Sequence, residues 1–237
     1  MGLLGLAAQG ADLWALAARE RQLVRLDART GRRIGVPVAL PSAGNAVAAT
    51  RDVVYVAVTQ PVLDPGDQIL ELDRRTGALR RTFDVRDGVR RLEIVSGRLW
   101  LLASNHAELI GIDLDDPSDR RHVPLESETA VDLAVGGGFL WASLGDTDQL
   151  ARVRPRGGKP ANFATGRGPA GIAVHDGAVW VANRTESTVT RIDLRSGRER
   201  KRIPVPLNPY DVAAYGGAIW VTCLTDGKIA RLKDLGG

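Results

Sequence analysis

The sequence predicts an all-β protein, a six-bladed β-propeller with four strands per blade. Three observations carry that prediction: a tryptophan period of about 40 residues, a turn recurring at a set distance from the anchors, and short strand-like runs without helical spacing. The five tryptophans, Trp14, Trp100, Trp141, Trp180 and Trp220, are all the chain has, and Tyr55 fills the one vacant place. The steps between successive anchors are 41, 45, 41, 39 and 40 residues. Self-similarity at such a period marks a repeat architecture.

Each anchor lies in a short apolar run: LWAL, VYVA, LWLL, LWAS, VWVA and IWVT. Thirteen residues on, three repeats carry Asp-x-x-[Ser/Thr]-Gly, from Asp27 to Gly31, Asp73 to Gly77 and Asp193 to Gly197, except that Tyr55 lies 18 residues before Asp73. The excess of five is assigned to an insertion, TQPVLDPGDQ (59–68), which also accounts for the 45-residue step. Asp113 holds the same place and runs into Asp116-Pro117, while Arg154 and Lys233 hold it ahead of Gly157-Gly158 and Gly236-Gly237.

The fifth repeat shows the four strands. GIAV leads into a hairpin turn at His175-Asp176-Gly177, AVWVA follows, TVTRID is third, and RKRIPVP is fourth after the turn at Arg195 to Gly197. Short Val- and Ile-rich runs bounded by turn residues read as strands. A lone four-stranded sheet cannot bury both faces, so each blade must pack on its neighbours. A large ring on the second strand fills that gap. Burying its surface stabilises by at most about 4–6 kcal/mol per anchor. The six anchors are therefore read as structural core rather than as a ligand cage.

The uninterrupted repeat favours one domain over residues 1–237, with blades at approximately 1–42, 43–87, 88–128, 129–167, 168–207 and 208–237. The formal charge is +4, and of 32 basic residues only Lys159, Lys201, Lys228 and Lys233 are lysines. Many arginines fall in fourth strands, such as Arg80, Arg81, Arg120, Arg121, Arg200 and Arg202. Charge at an exposed outer edge blocks edge-to-edge pairing, so these are read as solvated and not as a nucleic-acid patch. Cys223 is the single cysteine, which excludes an internal disulfide and a thiolate metal cluster. The apolar start carries Gln9 and Asp12 and aligns with the repeat through Trp14, so it is read as blade one rather than a signal peptide. No apolar run is long enough to span a membrane.

The sixth repeat supplies three strands, YDVAAY, AIWVTCL and KIARLK, and then Asp234-Leu235-Gly236-Gly237. The expectation is a last blade without its outer strand, in a chain cut from a longer protein.

In a propeller the loops leading into first strands, and those joining second to third strands, open on the usual binding face. Nine and ten residues before the anchors stand Asn45, Arg90, Arg91, Asp132, Tyr210 and Asp211. The loops after the second strands add Asn105, His106, Asn183 and Arg184. These ten are the binding-face candidates. They suit a small polar ligand or a peptide. No catalytic residue, metal ligand or cofactor is assigned. A metal-dependent hydrolase or lyase would need several carboxylates or histidines converging from inner strands. Only Asp132 and Asp211 stand at that level, and His106, His122 and His175 are placed on different loops and strands. Asp64-Pro65-Gly66-Asp67 in the insertion is read as a turn in a long loop over the binding face.

The phrase GPAGIAVHDGAVWVANRTESTVTRIDLRSGR (168–198) and its echo NPYDVAAYGGAIWVTCLTDGKIARL resemble the YVTN/NHL-like propeller repeats of bacteria. The resemblance covers all six repeats. It implies a sensor or binding domain, as in actinobacterial receptor-type serine/threonine kinases, and an extracytoplasmic location. The virginiamycin B lyase is similar but seven-bladed, and its channel histidine and glutamate have no counterpart placed here. The expectation is a non-catalytic, monomeric binding or sensor module. The alternatives are a metal-dependent lyase or hydrolase using Asp132 and Asp211, and a pure protein-interaction scaffold.

Overall fold

The computed structural model of the chain describes residues 3–59, 66–85, 87–103 and 106–232. They contain 23 strands and, among the described residues, no helix. Blade one is β1 (Leu3–Gln9), β2 (Asp12–Ala17), β3 (Gln22–Asp27) and β4 (Val38–Ala39). Blade two is β5 (Gly44–Ala49), β6 (Val53–Thr59), β7 (Asp67–Asp73) and β8 (Leu79–Val85). Blade three is β9 (Val89–Val95), β10 (Arg98–Ala103), β11 (Glu108–Asp113) and β12 (Arg120–Pro124). Blade four is β13 (Ala130–Gly136), β14 (Phe139–Leu144), β15 (Gln149–Val153) and β16 (Ala161–Ala164). Blade five is β17 (Pro169–His175), β18 (Ala178–Asn183), β19 (Thr188–Asp193) and β20 (Glu199–Pro204). Blade six is β21 (Pro209–Tyr215), β22 (Ala218–Cys223) and β23 (Lys228–Leu232). Every sheet pairs its strands in chain order, which makes six antiparallel meanders and the fold of a six-bladed β-propeller. Blade six has three strands among the described residues.

Two compact units divide the chain: residues 1–105 with 112–120, and residues 106–111 with 121–237. In the first unit, Trp14 shares a core cluster with Leu16 and Leu23 of blade one and with Val54, Val56 and Leu70 of blade two. In the second, Trp141 shares one with Ile172, Val179 and Ile192 of blade five, and Trp180 shares one with Val212, Ile219 and Val221 of blade six. Trp14, Trp141 and Trp180 thus each cap the sheet that follows. Trp100, Trp141 and Trp180 are fully buried, Trp14 and Tyr55 nearly so, and Trp220 is half-buried.

The recurring turn has a direct physical cause. Asp27 Oδ1 accepts hydrogen bonds from the amides of Arg29 and Thr30 and from the Thr30 hydroxyl, and the Gly31 amide returns to the Asp27 carbonyl. Gly31 has φ +69°, a left-handed conformation that glycine adopts without steric penalty. Asp73 with Thr76 and Asp193 with Ser196 repeat the arrangement. At Asp113 the carboxylate still accepts two amides, from Asp115 and Asp116.

Two expectations are corrected. The insertion is shorter than the sequence alignment implies, because Thr59 pairs with Asp67 at the end of β6 and β7, so both ends of 59–68 belong to strands. Residues 60–65 lie outside the described residues, and with them the Asp64-Pro65 part of the turn. The fourth-strand arginines are not all solvated. Arg81 donates to the Leu114 carbonyl of blade three at 2.5 Å, and Arg121 to the Pro155 carbonyl of blade four at 3.2 Å. A guanidinium is long and rich in donors, so it reaches unpaired carbonyls of the next blade and ties the two edges together.

A second regularity joins the tryptophans to arginines. Trp14 faces Arg25, Trp141 faces Arg152, Trp180 faces Arg191 and Trp220 faces Arg231 across the β2–β3 type of hairpin, always eleven residues apart in sequence. The guanidinium carbons lie 5.7, 5.5, 5.7 and 5.1 Å from the ring centroids, within cation–π range. The arginine stem covers the outer part of the ring while its head reaches polar groups.

Candidate functional site

The candidate site belongs to the second unit. The loops of blades four, five and six that lead into the first strands meet those that leave the second strands. One backbone bond repeats in all three: Gly145 N–H to Thr129 O at 2.8 Å, Arg184 N–H to Gly168 O at 2.9 Å, and Leu224 N–H to Asn208 O at 2.9 Å. These bonds set a row of paired loops around a cavity of about 550 Å³, lined among others by Thr129, Asp146, Pro169, Arg184, Thr185, Asn208 and Thr225. That volume suits a small ligand.

Arg184 is the one cation lining the cavity among the described residues. It stacks on Tyr210 at 5.2 Å, and its Nε donates to Asn208 Oδ1 at 3.2 Å. The stacking and the single bond hold the guanidinium plane and leave its two terminal nitrogens without a partner among the described residues. Such a fork matches a carboxylate or a phosphate. Asp146 also lines the cavity, and its carboxylate accepts from the Ser127 hydroxyl and from the amides of Glu128 and Thr129 rather than from the guanidinium. Burial pushes the Asp146 carboxyl up, but these hydrogen bonds outweigh it and hold the group below the usual range. Glu186 pairs with Arg167 and Arg202.

The other candidate residues are distributed differently from the sequence expectation. Asp132 is buried at 5 % exposure, and its Oδ2 accepts the Ile172 amide of blade five at 2.9 Å while Oδ1 accepts the Leu133 amide. Ser143 completes this rivet by donating to the Ala170 carbonyl at 2.6 Å and accepting the Asp132 amide. Asp132 therefore works as a blade-to-blade tie and is withdrawn from the binding face. Asn183 is also withdrawn. It is fully buried, with Oδ1 accepting from Thr165 and Gly166 and Nδ2 donating to Thr188 and Thr190. A buried amide that fills its donors and acceptors this way is a structural hub. Asp211 keeps half of the Asp132 arrangement. Oδ1 accepts the Val212 amide and Thr222 accepts the Asp211 amide, but the residue is exposed.

In the first unit, Asn45 donates to Thr59 Oγ1 and to Asp67 Oδ2, both at 2.9 Å, and Asp67 Oδ2 also accepts the Val89 amide at 2.7 Å. Asn45 thus braces a second tie between blades, from two to three. Arg90 and Arg91 are half-buried, and the Arg90 Nε is enclosed without a hydrogen-bond partner among the described residues. Asn105 lies outside the described residues. Two of the histidines share one neighbour. His106 and His122 both meet Glu108, because the loop residue two positions before β11 and a β12 residue flank the same carboxylate. His175 ends β17 and stands elsewhere.

The fold and this loop cavity define a propeller-type module. Comparison with solved structures places its fold among very different proteins. Hydrazine synthase of Kuenenia stuttgartiensis matches with TM-score 0.79 at 15% identity, over 99% of this chain and 84% of that one. Virginiamycin B lyase of Staphylococcus aureus matches with TM-score 0.72 at 15% identity, over 100% and 85%. BamB of Moraxella catarrhalis matches with TM-score 0.60 at 18% identity, over 99% and 84%. No family model and no curated protein sequence matches the chain. At such identities the likeness establishes the propeller fold alone. Among the described residues no helix is long and apolar enough to cross a membrane.

Proposed function

We propose that this chain is a non-catalytic binding module whose loop face in blades four to six takes a ligand bearing a carboxylate, either a small acid or the end of a peptide. The observation that carries this reading is the Arg184 fork, oriented by Tyr210 and Asn208 at the loop cavity. Threonine hydroxyls at 129, 185 and 225 offer neutral donors and acceptors around it. The YVTN/NHL-like character of 168–198 fits a sensor domain of a bacterial receptor-type kinase. The lyase or hydrolase reading through Asp132 and Asp211 loses its main support, since the Asp132 carboxylate is occupied by two backbone amides.

The reading is tested by titrating isotope-labelled protein with short capped peptides ending in a free carboxylate and with their C-terminal amides. The acids are expected to shift the Arg184 Nε–H resonance and the amides of Thr129 and Thr225, and R184Q is expected to abolish the response. Equal shifts from acids and amides, or an unchanged response in R184Q, would overturn it.

A further inference from the structure

We infer that His106, Glu108 and His122 form a solvent-open site for a divalent transition-metal cation of the zinc class on blade three. Glu108 opens β11, and its amide returns to the His106 carbonyl at 2.9 Å, a tight turn that folds the loop imidazole back over the strand end. His122 approaches from β12. The His106 Nε2 lies 3.4 Å from Glu108 Oε2, and the His122 Nδ1 lies 3.3 Å from Glu108 Oε1. Donor atoms that share one tetrahedral zinc at 2.0–2.2 Å stand about 3.3 Å from each other. Each imidazole is therefore already at the ligand spacing from the carboxylate; the two nitrogens approach different oxygens of it, so the exposed imidazoles turn toward a common ion when one is bound.

The donor set decides the class of ion. Two imidazoles and one carboxylate suit Zn²⁺, Cu²⁺ or Ni²⁺, whereas Ca²⁺ and Mg²⁺ require oxygen-dominated shells. Exposure decides the type of site. The histidine side chains are 56% and 54% exposed and the glutamate 16%. An ion has access from solvent. The carboxylate is fixed on the strand while the two imidazoles adjust. This site is separate from the Arg184 cavity and stands whether or not that cavity binds an acid.

The test is calorimetric titration of the untagged chain with zinc chloride and with magnesium chloride, together with the visible absorption of the cobalt-loaded protein. One zinc per chain, no magnesium binding, and an intense tetrahedral cobalt band are expected. H106A, H122A and E108Q should each weaken zinc binding by about tenfold or more, since even outer-shell ligand changes reach that size. H175A should leave it unchanged. All four positions tolerate substitution without a packing penalty if the far-ultraviolet spectra superimpose, and E108Q preserves shape. Absence of zinc binding by the parent chain, or equal affinity in H106A, H122A and E108Q, would overturn the inference.

Discussion

Trp141 shows how one side chain serves packing and polarity together. It is fully buried, its Nε1 donates to the Gly136 carbonyl at 3.1 Å, and Arg152 lies over its ring. Phe139 and Phe163 flank it at centroid distances of 6.4 and 6.1 Å. Removing the ring leaves a cavity that fixed strands cannot collapse into. Trp141→Ala is expected to lower stability by about 3–5 kcal/mol, and chemical denaturation measures it. A variant melting with its parent would refute the assignment of this residue to the core. Gly171 shows the opposite requirement. A Cβ there would come within 2.6 Å of the Asp211 Cα and the Tyr210 carbonyl, so blade six approaches that backbone too closely for any side chain.

At the scale of strands, the rivet from Asp132 to Ile172 is a buried carboxylate holding backbone amides of two blades. Truncating it orphans those amides. Asp132→Ala is expected to destabilise by about 1–3 kcal/mol, and the protection of the Ile172 amide against hydrogen exchange should fall. Unaltered exchange at Ile172 would remove the rivet from the account. Strand number, order and the Asp-x-x-[Ser/Thr]-Gly turns were legible beforehand, because periodicity and turn chemistry are local properties. The eleven-residue Trp–Arg spacing was equally local and lay in the sequence, but its meaning depends on hairpin register. Asp132 and Asn183 were misread for a different reason. Their distance from the anchors indicates the depth of the residue in the blade, not whether its side chain turns to solvent or toward the next sheet. Arg184 was legible as a loop cation, and its partners Tyr210 and Asn208 come from a blade about 25 residues away in sequence, so only the assembled loops disclose the fork.

Over the whole molecule, the turn aspartates couple the fold to acidity. Hydrogen bonds from the Ser196 amide and hydroxyl lower the Asp193 carboxyl to about 2, and those from Arg80 and Thr76 hold Asp73 well below the usual range. A carboxyl with a depressed folded-state pKa contributes stability that is present above its unfolded value of about 4. That contribution is lost as the pH falls through the folded value, so melting temperature should decline between about pH 4 and about pH 2. In D193N the decline should be shallower, since asparagine keeps the turn geometry without the titration. An identical pH slope in parent and variant would dismiss this coupling.

The anchors also give the molecule a built-in optical map. Five blades each contain one indole and blade two contains none, only the phenol of Tyr55. Fluorescence excited at the red edge therefore reports on every blade except the second. Replacing four of the five indoles with phenylalanine leaves a lamp in a single chosen blade. Trp220, half-buried, should emit at longer wavelength than the enclosed Trp141 and Trp180, so blade six can be followed by colour.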